Sequence, residues 1–153
     1  TIEELIEKVV RTISCNGNIL INVGPTKDGI IAPVFQERLS QLGSWLNVNG
    51  EGLYGSKPWN YQNDSYTPGV WCTQKDGNVY AYVLQWPKRN KLALESLQLV
   101  PGSRVTLLGN CHERDLDWVK RPEGGVAVKF PTLTPHTVPS QWAWTLKIQG
   151  ATD

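Results

Sequence analysis

The spacing of apolar residues changes once along this chain, and that change limits the folds open to it. Up to about residue 50 apolar positions recur near every 3.6 residues, and beyond Pro58-Trp59 they recur near every second one. A helical half and a half built as a sheet with two faces cannot share one simple repeat. The chain therefore reads as the end of an α/β unit joined to an all-β unit, with the division at residues 57/58.

Thr1-Ile2-Glu3-Glu4 has the form of a capping box, in which the Thr1 hydroxyl accepts from the Glu4 amide and Glu4 reaches back. Ile2, Leu5, Ile6, Val9, Val10 and Ile13 follow at helical spacing, and Asn16-Gly17-Asn18 signals a turn, so the helix ends near Ser14. Ile19 to Val23 is short, apolar and mostly β-branched, as in a strand buried on both faces of a parallel sheet. Gly24-Pro25 stops it. Pro33 then suits the first turn of a second helix with Phe35, Leu39, Leu42 and Leu46 on its apolar face and Trp45 on the shoulder. Asn47 to Gly50 ends that helix. One strand makes no sheet, so this half is expected to be completed by strands outside the sequence.

In the second half, Val70–Thr73 and Val79–Trp86 flank an Asp76-Gly77 hairpin signal. Short runs follow at 92–97, 105–108, 126–130 and 142–148, separated by Gly- and Pro-rich links. About six strands of this kind predict an antiparallel β-sandwich.

Composition removes several functions. The formal net charge of +1 gives no reason to expect nucleic acid, and no apolar run reaches the roughly 20 residues of a membrane helix. Methionine is absent even at position 1, so a processed chain or a piece of a longer one is expected. Cys15, Cys72 and Cys111 have no metal-ligand spacing, and no metal site is expected. His112, beside Cys111, Glu113 and Asp115, and His136, among prolines, read as loop residues. Asn63-Asp64-Ser65 is an N-glycosylation sequon.

Glycoside hydrolysis needs paired carboxylates, and the acids here are scattered over helix faces and turns. Asp28 is the one acid just past the apolar run, where barrel enzymes place functional groups, although a turn or loop-solvating role is the reading its setting favours. Seven tryptophans are many for 153 residues. Tyr80, Tyr82 and Trp86, and likewise Trp142 and Trp144, are spaced to share a strand face, which either fills a core or stacks on sugar rings.

The run from Asn16 through Gly29 resembles a segment typical of α-L-fucosidases of glycoside hydrolase family 29. So do Glu37-Arg38-Leu39, Leu42 to Leu46, Val48 to Tyr54 and Lys57-Pro58-Trp59, with looser likeness in Val79 to Pro87 and Trp142 to Thr145. Gly52 stands where the family often carries alanine, and Cys72 where it often carries tyrosine. The resemblance implies the last helix-strand-helix of a (β/α)8-like barrel over 1–57 and a β-sandwich over 58–153. It implies retaining removal of terminal α-L-fucose from glycans, no cofactor, and a lysosomal or secreted protein that can be a homo-oligomer. No position matches the family's nucleophile or acid/base, so no catalytic residue is assigned. Asn22, Gly24, Pro25 and Asp28 are the candidates for the pocket rim. A carbohydrate-binding or purely structural sandwich is the alternative.

Overall fold

The computed structural model describes residues 1–110, 115–132, 134 and 137–152; Cys111, His112 and His136 lie outside them. Two helices come first, α1 (Ile2–Ser14) and α2 (Pro33–Asn49). Eight strands follow: β1 (Lys57–Asn63), β2 (Val70–Lys75), β3 (Asn78–Val83), β4 (Lys91–Leu94), β5 (Gln98–Leu107), β6 (Trp118–Lys120), β7 (Val126–Lys129) and β8 (Trp144–Thr152). They form a five-stranded sheet in the order β1-β2-β3-β8-β5 and a three-stranded sheet in the order β4-β7-β6, with antiparallel pairing throughout.

Local chemistry explains the elements that form. Thr1 caps α1 through both bonds of the capping box. Ile2, Ile6, Val9 and Val10 put its apolar stripe into the core. The β2–β3 hairpin turns on Asp76 (φ 50°) and Gly77 (φ 75°), the pair of positive φ values that matches the strands' own twist.

The larger sheet is covered on both faces. Val79, Ala81 and Val83 of β3 point with Leu146, Ile148, Val105 and Leu107 toward Leu92, Leu94, Val126 and Val128 of the smaller sheet. Tyr80 and Tyr82 point the other way, into a second cluster with Ile6, Val10, Leu42 and Trp45 from the helices. Each large apolar side chain fully buried here stabilises by about 1.5–3 kcal/mol.

Three sequence expectations need correction. Ile19 to Val23 is not a strand: it runs without sheet pairing, and Leu20 is 88% exposed. A doubly buried strand needs a neighbour on each edge, and among the described residues no strand pairs with it. On α2, Trp45 is the centre of the buried face at 1% exposure, with its indole Nε1 donating to the Ala143 carbonyl at 3.0 Å, while Phe35 and Leu39 are exposed. The aromatic pairs also split. Trp142 precedes β8 at φ 70° and packs against the helix cluster, whereas Trp144 packs with Trp86 and Phe130 in the inter-sheet core. Trp86 parts from Tyr80 and Tyr82 because β3 ends at Val83.

The sandwich is tied at one end by Asp64, which is 3% exposed. One carboxylate oxygen accepts from the Tyr66 and Thr67 amides (3.1 and 2.8 Å), and the other from the Glu95 and Ser96 amides (2.9 and 3.1 Å). It thus joins the β1–β2 loop to the β4–β5 loop across the two sheets. Asp64→Ala strands four amide donors, and chemical denaturation should record a loss of about 3 kcal/mol. A loss under about 0.5 kcal/mol would show that water replaces the carboxylate.

Candidate functional site

The residues between the helices form an exposed excursion. Pro25 and Ile31 make an isolated antiparallel bridge, the Thr26 amide donates to the Ile30 carbonyl (2.8 Å), and the Gly29 amide donates to the Thr26 carbonyl (2.9 Å). Gly29, at φ 76°, closes this small hairpin. The four candidate rim residues all lie on it or just before it: Asn22 and Gly24 in the extended run, Pro25 at the bridge, Asp28 at the tip. All four are exposed, and a Cβ built on Gly24 would meet nothing within 4 Å. Among the described residues, none of the four lines the cavities described below.

Apolar exposure concentrates in the same region. Leu20, Ile21, Ile30, Ile31, Val34 and Phe35 are all exposed, in three pairs on the unpaired run, the hairpin and the first turn of α2. Single exposed apolar residues are ordinary, but six within sixteen positions are a local concentration.

Where the helices meet the sheet, a polar junction locks the two together. Glu51 Oε1 accepts from the Tyr80 hydroxyl at 2.8 Å and pairs with Lys147 Nζ at 2.6 Å. The Thr73 hydroxyl donates to the Gly52 carbonyl at 2.7 Å and lies 3.2 Å from the Tyr82 hydroxyl. The Lys147 ammonium, foremost, holds the Glu51 carboxyl below its usual range, against a smaller opposing push from burial. Burial pushes both tyrosine hydroxyls up, and Glu51 adds to the shift at Tyr80. These groups are built to hold still, not to exchange protons at neutral pH. Gly52 lies against the same tyrosines: a Cβ there would collide with the Tyr80 ring at Cγ and sit 2.6 Å from the Tyr82 oxygen. The sequence reading put Glu51 in a plain turn, and only the Gly-Glu-Gly setting hints at so close an approach.

A cavity of about 610 Å³ holds two carboxylates, Asp115 and Asp117, beside Asn110, Thr132, Thr134 and Thr137. Arg104 Nε donates to Asp115 at 2.8 Å and holds its carboxyl below the usual range, with help from Thr106. Asp117 lies 4.0 Å from Lys129 and is largely exposed. A general acid needs the opposite environment, apolar and proton-retaining, so this pair does not have the character of a glycosidase acid and nucleophile. Among the described residues no group of three His, Cys, Asp or Glu could hold a metal ion.

Asn63 closes β1 and is half-buried. Its Nδ2 donates to the carbonyls of Pro68 (2.7 Å) and Val70 (2.9 Å), while Ser65 Oγ donates to Glu95 at 2.8 Å. A glycan on Nδ2 leaves one N–H, so modification would replace one of those two bonds.

Comparison with known proteins matches both halves of the chain to one family. A family model for the α-L-fucosidase C-terminal domain matches residues 62–149, and one for α-L-fucosidase matches residues 1–51. Human tissue α-L-fucosidase is 46% identical over 147 residues, which is 96% of this chain and 31% of that protein. Human plasma α-L-fucosidase is 46% identical over 151 residues, 97% of this chain and 32% of that protein. The chain thus spans about a third of the length of the curated relatives it matches. Among solved structures, a Thermotoga maritima α-fucosidase in complex with a mechanism-based inhibitor superposes with a TM-score of 0.83 at 25% identity, over 97% of this chain and 34% of that one. The same organism's enzyme in complex with fucose gives 0.81 at 26% identity, over 96% and 34%.

The junction generates two expected outcomes. Gly52→Ala should lower stability by about 1–3 kcal/mol, because the methyl must displace two packed rings. A carboxyl depressed by folding stabilises above its unfolded value of 4.5, and that contribution fades as pH falls through its lower folded value. Glu51→Gln should therefore destabilise at pH 7 and flatten the acid limb of a thermal-melt series below about pH 4.5. Because Glu51 is 46% exposed, screening limits the effect to about 1 kcal/mol. An unchanged acid limb would remove Glu51 from the account.

Proposed function

The chain belongs to the α-L-fucosidase family, and from that premise we propose that it is the C-terminal part of a retaining glycoside hydrolase that removes terminal α-L-fucose from glycoproteins and glycolipids. Residues 1–57 are then the last helix-strand-helix of a (β/α)8-like catalytic barrel, and residues 58–153 its C-terminal β-sandwich. The observation that carries this reading is the bare apolar run from Ile19 to Val23. Its composition suits a strand with a neighbour on each edge and a packed layer on each face, yet here Leu20 is 88% exposed and the backbone is unpaired.

In that reading the nucleophile and the acid/base come from barrel strands other than this one, ~5 Å apart as retention requires. Asn22 stands at the strand's C-terminal end and Gly24, Pro25 and Asp28 follow it, on the side where barrel enzymes build their sites, and so belong to the pocket rim. The ordered junction at Glu51 and the Trp45–Ala143 bond keep the last barrel helix seated on the sandwich. Fucosylated glycans as ligand, a lysosomal or secreted location, a glycan on Asn63 added before its loop closes, and oligomer contacts made through the rest of the protein all belong to the same proposal.

The test compares this chain with a longer protein that contains it. The chain alone should not hydrolyse 4-nitrophenyl α-L-fucoside, whereas the longer protein should; turnover by the chain alone would overturn the placement of the carboxylates. Leu20→Asp should change the stability of the chain alone by less than about 0.5 kcal/mol, as expected for an exposed position. In the longer protein the same change buries a carboxylate and should cost about 3 kcal/mol or more. Equal small effects in both would remove the barrel strand.

A further inference from the structure

Away from the barrel-facing side, the outer face of the smaller sheet carries a groove of about 830 Å³. Five basic residues line it, Lys88, Arg89, Lys91, Lys120 and Arg121, against a single acid, Glu123. The whole chain has 15 basic and 14 acidic residues, so this one groove concentrates charge that the rest of the surface balances. The cations arrive from separate parts of the chain: the β3–β4 turn, β4 itself, and the end of β6 with its turn into β7.

The groove is built. Arg89 and Asn90 are consecutive non-glycine residues at φ 57° and 53°, a conformation that costs free energy at each. It is held by Trp86 Nε1 donating to Asn90 Oδ1 at 2.7 Å, and by the Phe130 amide donating to the Asn90 carbonyl at 2.9 Å. Opposite, the Arg121 guanidinium lies 4.2 Å from the centre of the Tyr66 ring. Its side chain is only 15% exposed, and among the described residues its one carboxylate neighbour is Glu123 at 3.7 Å, beyond hydrogen-bond length. A nearly buried guanidinium thus keeps its donor fork available. Between these walls the surface is apolar, with Ala93 and the well-exposed Val119 both in register with the buried Ala127. Ala127, on the central strand of the smaller sheet, is 4% exposed although it faces outward.

We infer that this groove binds anionic oligosaccharides, glycan chains that carry sulfate or carboxylate groups. Apolar floor and aromatic ring suit the C–H faces of sugar rings, and a planar guanidinium with lysines around it suits their charged substituents. Val119 is the one well-exposed aliphatic side chain among the described residues of the groove, and a single aliphatic side chain gives a bilayer little to hold, which disfavours an anionic membrane. The site requires no part of the fucose-releasing reaction, so it stands or falls separately from that reading.

Calorimetric titration of the longest available protein containing this chain tests it, with a heparin-derived hexasaccharide as probe at 0.15 M salt. Maltohexaose, poly-glutamate and anionic phospholipid vesicles are the comparison ligands. The hexasaccharide should bind at least about tenfold tighter than maltohexaose and poly-glutamate, and its affinity should fall as salt rises. Lys91→Glu with Lys120→Glu, both at exposed positions, should weaken it about tenfold at an unchanged melting temperature. Tyr66→Ala should weaken it too, which charge alone does not predict. No binding at millimolar hexasaccharide overturns the inference. So does equal affinity in the charge-reversed variant, or equal or tighter binding of poly-glutamate or vesicles. Hydrolysis of 4-nitrophenyl α-L-fucoside, measured in parallel, reports on the enzymatic reading and should be unaffected by these substitutions.

Discussion

Strand β3 is buried on both faces, and the rest of the structure follows from that one constraint. Val79, Ala81 and Val83 need an apolar layer on one side, which the smaller sheet provides. Tyr80 and Tyr82 need a layer on the other side that is apolar along their rings and polar at their tips. Helices α1 and α2 satisfy the rings, and Glu51, Thr73 and the Gly52 carbonyl satisfy the hydroxyls. Position 52 must therefore be able to touch a ring, and α2 must end where it does. The helix pair is thereby fixed on the sheet by a few atoms at its exit, although its apolar stripe could slide on a flat surface.

Much of this was legible in the sequence, for reasons that differ between elements. Helix α1 was readable because cap, stripe and turn signal all agree over 13 residues. The β2–β3 hairpin was readable because Asp76-Gly77 names the only turn that suits it. Strand β1 was hidden by Pro58 and by polar residues tolerated at a sheet edge, and β6 by its three-residue length. Trp45 could not be placed by helical periodicity, because what draws it inward is the Ala143 carbonyl 98 residues away. Trp142 was misplaced for a similar reason: one positive φ reverses a side chain that strand alternation assigns to the other face. The rim candidates were legible as residue types beyond an apolar run. Among the described residues they stand exposed on a small hairpin, and residue type alone does not say what surrounds it.

The contrast between the helices and the run between them follows from where backbone hydrogen bonds go. A helix closes its bonds within itself, so α1 and α2 need only an apolar face to rest on, and the sheet supplies one. Ile19 to Val23 can close none of its own. Ordering these five residues costs about 1–2 kcal/mol each in backbone freedom. Burying Ile19, Leu20, Ile21 and Val23 returns about 2 kcal/mol apiece, and each hydrogen bond about 1 kcal/mol net. Packing on one face alone returns about 4 kcal/mol and pairing on one edge alone about 2–3 kcal/mol, each short of an ordering cost of about 5–10 kcal/mol. Both faces and both edges must be filled before the strand is stable, so it forms together with its neighbours or not at all. That balance separates α1 and α2, which pack on the sheet, from the unpaired run between them.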